Sequence, residues 1–132
     1  MKETHLASAQ VQTDTEQLAD AAVATWHDVW IALSPVIGAA GVAALFQRSV
    51  FLRMPEYPWL ANVSDPPPAG EFNSLRRELS LQRQDEAAAA NAALLQSLAQ
   101  VLGNLIGASL TTRLLQPVWD RHGGSTQDNS TK

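Results

Sequence analysis

The sequence LSPVIGA at residues 33–39 returns 69 residues later as LGNLIGA at residues 102–108. The same offset aligns Trp26 with Leu95 and Leu45 with Leu114 without a gap. Each half then predicts a helix, a short Ile-Gly-Ala corner and a second helix, and the two hairpins would pack as a pseudo-symmetric bundle. Two amphipathic helices rich in leucine and alanine can also align by chance, so both interpretations stay open at this point.

Length and composition predict one small all-α domain. The chain has 132 residues, which is within the usual size of a single domain, and 45% of them are hydrophobic. Alanine, which has the highest helix propensity, supplies much of this apolar content, and no alternating pattern of β-branched residues predicts a strand. We therefore expect an all-α bundle of four to five helices.

Helix signals divide the chain into segments. Thr13 and Glu16 form a capping box, and the proline of Ser34-Pro35 disfavours helical geometry in the residue before it. A single helix over residues 71–102 would be about 48 Å long, so we expect either a projecting helix or a break near residues 80–86. Gly103 to Gly107 predicts a bend. The other predicted helices span residues 14–33, 39–53 and 108–120.

The predicted domain organisation follows from these segments. It comprises a disordered arm at residues 1–12, a single helical domain at residues 13–120 with a proline-rich loop at residues 54–70, and a disordered tail at residues 121–132.

Charge and cysteine content exclude several classes of function. The net charge is −4, and the arginines nearest to a basic cluster alternate with acidic residues, so we expect no nucleic-acid partner. The chain has no cysteine and therefore no disulfide or thiolate chemistry. The polar start of the chain has no apolar segment typical of a secretory signal, which predicts a cytoplasmic protein.

Two segments without charge, residues 29–47 and 87–112, raise the question of a membrane. Gln96, Gln100 and Asn104 form a polar stripe along the second segment, and Ser34-Pro35 interrupts the first. These features favour soluble amphipathic helices. A membrane-associated helical hairpin is kept as the minor alternative.

The segment VIGAAGVAALFQRSVFL at residues 36–52, PWL at residues 58–60 and LIGASLTTRLL at residues 105–115 resemble a small, uncharacterised bacterial helical family. The resemblance covers about residues 20–120. It implies a shared fold type and supplies no catalytic residues.

The sequence shows no arrangement of residues typical of an enzyme or a metal site. His5 and His122 lie in the predicted arm and tail, and Val23 and Ile31, one helical turn either side of His27, cannot bind a metal. Phosphotransfer through His27 would also lack the lysine that usually follows the histidine in such modules. Hydrolase, phosphate-loop and zinc motifs are missing. We expect no enzyme, no cofactor and no metal.

Large aromatic residues give the candidate partner site. Tyr57, Trp59 and Leu60 lie in the proline-rich loop, where they either bind a partner or fold back as a lid on the core, and Trp26 and Trp30 form a second candidate face on the first helix. The sequence favours a non-enzymatic helical interaction or regulatory module, and self-association through the alanine-rich helix or the tryptophan face is one form that such a module can take. A sensor with a small apolar ligand between the hairpins is the alternative.

Overall fold

Four α-helices and one short 3-10 helix account for most of the computed structural model, which describes residues 2–63 and 72–122, with side chains from residue 14 onward. The α-helices are α1 (Lys2–Arg53), α2 (Asn73–Ser80), α3 (Gln84–Ile106) and α4 (Ala108–Arg121), and the 3-10 helix is Pro58–Asn62. These described residues contain no strand, which confirms the predicted all-α class.

Helix α1 folds back on itself at Gly38. This residue has φ 83° and ψ 158°, and it separates a first arm, residues 2–37, from a second arm, residues 39–53. The rings of Trp26 and Phe46 lie 5.1 Å apart although 20 residues separate them, a distance of about 30 Å along a straight helix. The two arms therefore form a hairpin, and its corner needs a backbone conformation that is almost restricted to glycine.

The second half of the chain repeats this corner at Gly107. Its φ of 94° and ψ of 150° nearly equal those of Gly38, and it joins α3 to α4. A Cβ atom built on Gly103 would lie 3.9 Å from Oγ1 of Thr111, so α4 packs back on the end of α3. The predicted Ile-Gly-Ala corners thus exist in both halves.

Both corners lie at one end of the bundle. At the start of α2, Phe72 packs on Trp30, eight residues before Gly38, whereas Arg76 pairs with Asp20, eighteen residues before it. Helix α2 therefore runs away from the corner of α1. Because only three residues separate the end of α2 from the start of α3, α3 starts at the far end and runs back toward the corner of α1 over about 33 Å. We call the end that carries Gly38 and Gly107 the corner end.

Contacts between the halves follow a pseudo-two-fold relation. Nε of Arg53 donates a hydrogen bond to Oγ of Ser97 at 2.7 Å, and His122 pairs with Asp28. His122 lies 69 residues after Arg53, and Asp28 lies 69 residues before Ser97. The two contacts are therefore the same contact made twice in opposite directions, which supports the repeat over a chance alignment.

An apolar core joins the two hairpins and α2. Rings of Trp26, Phe46 and Phe72 pack together with centroid separations of 5.1 to 5.9 Å, within the range favoured by aromatic pairs. The largest fully buried aliphatic side chains come from every α-helix and the 3-10 helix: Leu33, Leu60, Leu75, Leu79, Leu94, Leu98, Leu102 and Leu115.

Several predicted boundaries differ from the structure. Helix α1 includes residues 2–12, where the sequence predicts a disordered arm and a cap at Thr13; no glycine or proline interrupts the chain there. The same helix continues past Pro35, because this residue is exposed and water can bond the carbonyl of Ile31 that proline leaves free. Its first arm ends at residue 37, before Gly38. Helix α3 likewise passes Gly103, and Gly107 alone forms the corner.

Of the two alternatives for residues 71–102, a projecting helix or a break near residues 80–86, the structure has the break, at residues 81–83 between α2 and α3. Residues 54–63 contain no α-helix, as the prolines predict, although Pro58–Asn62 form a 3-10 helix that the sequence did not predict. The rest of the predicted loop, and all but the first two residues of the predicted tail, lie outside the described residues.

Candidate functional site

Trp26 belongs to the interior of the bundle. Its side chain is 1% exposed, and its Nε1 donates a hydrogen bond to Oδ1 of Asn91 at 2.9 Å. Trp30 is partly buried and packs edge-on against Phe72, with 6.3 Å between the ring centroids. The candidate tryptophan face is therefore largely a core face in this structure.

The candidate loop residues fold onto the bundle. Leu60 is fully buried, and Tyr57 and Trp59 are partly buried with 6.2 Å between their ring centroids. Nε1 of Trp59 donates a hydrogen bond to Oε2 of Glu86 at 3.2 Å, which ties the segment to the start of α3. This is the arrangement of the lid alternative, and it leaves little of Leu60 or Trp59 for a partner.

The alanine-rich start of α3 is divided between core and surface. Ala87 and Ala90 are fully buried, whereas Ala88, Ala89 and Ala92 are exposed. Half of the predicted close-approach surface is thus already used within the chain.

Polar residues that link the halves form two clusters. Arg53 donates hydrogen bonds to the carbonyl of Ala93 at 3.2 Å and to Ser97, and it pairs with Glu56 at 2.9 Å. In the other cluster, Asp28 accepts from His122 and pairs with Nη1 of Arg121 at 3.0 Å. Both clusters hold the end of one hairpin against the other half of the bundle.

The Asp28 cluster has one electrostatic consequence. The hydrogen bond from His122, with further contributions from Arg121, lowers the pKa of Asp28 below its ordinary value, although partial burial opposes the shift. The carboxylate is therefore stabilised in its charged form.

Of the other histidines, His27 is exposed on α1 and His5 lies among the residues whose side chains are not described. Within the part of the chain that is described, no three His, Asp or Glu side chains cluster closely enough to hold a metal ion.

The corner end is apolar and open. Val36 and Leu105, which are equivalent residues of the two halves, are 48% and 67% exposed, and Leu110 beside the second corner is 38% exposed. Ile31 adds a fourth exposed apolar side chain on the first arm of α1. Exposed apolar surface of this kind often marks an interaction site in a soluble protein.

Among the described residues, no charged side chain lies in the helical segments that form this end. The charge-free segment 29–47 is centred on Gly38, and the segment 87–112 includes Gly107. The sequence predicts two amphipathic core helices for these segments and does not predict that the corners place them side by side. The available signal was that each charge-free segment contains an Ile-Gly-Ala corner.

On the second arm of α1 and on α4 the first charge below the corner end is an arginine, whereas on the first arm of α1 it is Asp28, which is paired with Arg121 and His122. Arg48 lies ten residues after Gly38 and Arg113 lies six residues after Gly107, and both are exposed. Arg48 stands over the ring of Phe51, with 5.9 Å from its guanidinium carbon to the ring centroid. Among the described residues neither arginine forms an ion pair.

An open groove runs along the second arm of α1. It has a volume of about 350 Å³, and the adjoining Phe51 is 61% exposed. Its lining residues are Phe46, Gln47, Val50, Phe51, Met54 and Val63. The groove lies on the flank of the bundle, whereas the space between the hairpins is filled by core side chains.

The Asp14–Arg53 part of α1 is long and apolar enough to cross a membrane by length and composition, and 28% of its most apolar stretch is buried. Core helices and signal sequences meet the same criterion, so this property by itself is weak evidence for a membrane span.

Comparison with family models, curated proteins and solved structures found no match, and the resemblance to an uncharacterised bacterial helical family stays a prediction.

Proposed function

We propose that this chain is a non-enzymatic helical interaction module whose binding surface is the corner end. The observation that carries the proposal is the exposure of Val36 and Leu105 at equivalent positions of two helical segments, residues 29–47 and 87–112, that contain no charged residue. Core packing does not need either side chain to be apolar, since both point to solvent. A surface that binds an apolar partner does need apolar side chains at these two positions.

The site of interaction proposed here differs from the aromatic residues favoured by the sequence. Burial of Trp26 and Leu60 makes them contributors to stability, while Tyr57 and Trp59 act as a lid on the lower part of the bundle. The aromatic residues thus hold the hairpins in the geometry that presents the corner end.

A photo-crosslinking residue at position 105 tests this proposal. The matched control is position 81, because Leu81 is 69% exposed and lies between α2 and α3 at the opposite end of the bundle. We expect crosslinks to protein or lipid in living cells from position 105 at several times the yield from position 81. Equal yields at the two positions would contradict a binding surface at the corner end.

The flank groove supports a second candidate function, binding of a small apolar ligand. Its volume of about 350 Å³ is within the range of ligand pockets, and Phe46, Val50 and Met54 give it an apolar lining. Native mass spectrometry of the purified chain would show a co-purified small molecule if this function holds. A spectrum containing the protein mass alone, from cells of the native host, would count against it.

A further inference from the structure

We propose that the corner end inserts into the interfacial layer of a membrane that carries anionic headgroups. The inference rests on the proposed function, because it names the partner of the same surface. Three properties of that end support it: its depth without charge, the sign of the first charges below it, and its small area.

The charge-free depth matches the interfacial layer. From Gly38 the nearest charges along α1 are Asp28 and Arg48, each ten residues or about 15 Å away, and from Gly107 the nearest charge is Arg113, about 9 Å away. Interfacial helices bury their apolar face about 5–10 Å into the boundary between headgroups and acyl chains. The corner end can enter that layer without burying a charge.

The same geometry argues against a membrane-spanning hairpin. Residues 29–47 are long enough to approach the length of a spanning helix, but the corner at Gly38 divides them into two arms of nine residues. Each arm rises about 13 Å, less than half of the roughly 30 Å hydrocarbon core. In the folded bundle the segment can enter one leaflet and cannot cross both.

The charges are distributed as an anionic surface requires. Residues 29–53 and 87–119 together contain three charged side chains, Arg48, Arg53 and Arg113, and all three are cationic. Arg53 is neutralised by Glu56, and Asp28, which is as close to Gly38 as Arg48 is, pairs with Arg121 and His122. Among the described residues, Arg48 and Arg113 are therefore the charges nearest to the corner end that form no ion pair. The acidic residues that give the chain its net charge of −4 lie outside these segments. Long arginine side chains can therefore reach phosphate while the corners enter the apolar layer.

A second copy of the chain fits this end less well. Four helices spaced 8–10 Å apart present an end about 20 Å across, or roughly 400 Å². A standard interface buries about 800 Å² on each partner. A lipid surface has no such minimum area, because it deforms around the inserted side chains.

Flotation of the full chain with vesicles tests the inference. We expect the protein to float with vesicles of phosphatidylcholine and phosphatidylglycerol and to float poorly with phosphatidylcholine alone. The double variant Val36→Gln/Leu105→Gln should lower the partition coefficient about tenfold or more, since two apolar side chains that would be buried in the membrane are replaced by polar ones. Leu81→Gln, the same change at an equally exposed leucine of the opposite end, should float like the unmodified chain.

The arginines have their own readout. Replacing Arg48 and Arg113 with glutamine should lower partition into vesicles containing phosphatidylglycerol by about fivefold for each arginine and leave the weak binding to phosphatidylcholine unchanged. Arg83→Gln removes an exposed arginine before α3, at the opposite end, and should have no effect. Circular dichroism of each variant establishes that the helices are intact.

The outcomes separate the inference from the proposed function. If the unmodified chain does not float with either vesicle, or if Leu81→Gln impairs flotation as strongly as the corner variant, membrane insertion of the corner end is wrong. If the chain does not float but light scattering shows a dimer that Val36→Gln/Leu105→Gln dissociates, the lipid inference fails and the proposed function stands. If the corner variant changes neither flotation nor association, and position 105 yields no preferred crosslink, both fail.

Discussion

Replacing Gly107 with alanine should destabilise the bundle through backbone strain alone. Gly107 has φ 94° and ψ 150°, and a Cβ atom built on it meets no atom within 4 Å, so no collision contributes. This region of backbone space is almost restricted to glycine, and forcing another residue into it costs about 1–3 kcal/mol. For a chain of this size, that corresponds to roughly 4–12 °C in Tm.

Gly103→Ala provides a control of the opposite sign. Gly103 lies inside α3, and an added Cβ would be 3.9 Å from Oγ1 of Thr111, an ordinary contact. Alanine in a helix is favoured over glycine, so this variant should gain about 0.4–1 kcal/mol. Both variants add one methyl group within the same turn of the chain, which isolates the effect of φ.

Urea unfolding followed by circular dichroism gives the free energy of unfolding of both variants. We expect Gly107→Ala and Gly103→Ala to fall on opposite sides of the unmodified chain, with nearly unchanged m-values. Gly38→Ala should match Gly107→Ala, because its φ of 83° and empty Cβ surroundings are the same. If Gly107→Ala is as stable as Gly103→Ala, the corner does not need the glycine backbone conformation, and the argument that both halves share this corner loses its basis.

Other perturbations test the core and the links between the halves. Leu98→Ala, at a fully buried site, should lower the free energy of unfolding by about 2–5 kcal/mol in urea titrations. Trp26→Phe keeps an aromatic ring but leaves Oδ1 of Asn91 without its donor, and it should cost about 1–3 kcal/mol by the same measurement. Because contact with His122 lowers the folded pKa of Asp28, the stabilisation from this pair is complete above the unfolded value near 4 and is lost as pH falls through the folded value. Asp28→Asn should therefore be less stable than the unmodified chain above the unfolded pKa, and in acid titrations the two should converge only as pH falls through the lowered folded pKa of Asp28.

Repetition in the sequence predicted the architecture well. The 69-residue offset placed Gly38 on Gly107, and the structure gives both residues nearly the same backbone angles. The helical type also followed from local signals, because propensity acts over a few residues, whereas the possible break between α2 and α3 followed from the length that one helix over residues 71–102 would have. The direction in which each hairpin turns depends on packing between distant segments, which local signals do not encode.

Boundaries were wrong where the local signal depended on its surroundings. Pro35 lies on an exposed side of α1, where water can bond the carbonyl that it leaves unpaired, and this lowers the cost of continuing the helix past it. Trp26 and Leu60 became partner candidates because large apolar residues are common in both cores and interfaces. Sequence spacing could not decide between those environments, since the decision rests on whether α2 and the 3-10 helix cover them.

The two ends of the bundle differ in a way that folding does not require. At the end where α2 meets α3, the exposed positions include Arg77, Arg83 and Asp85, which is the usual solvation of a helical surface. At the corner end the exposed positions include Val36, Ala39 and Leu105, although charged or polar residues there would keep the same core. Because the pseudo-two-fold relation brings both corners to one end, the exposed Val36 of the first half and its equivalent Leu105 of the second half lie on the same surface. Exposed apolar side chains that packing does not need, presented at the same position by both halves, are best explained by binding at that end.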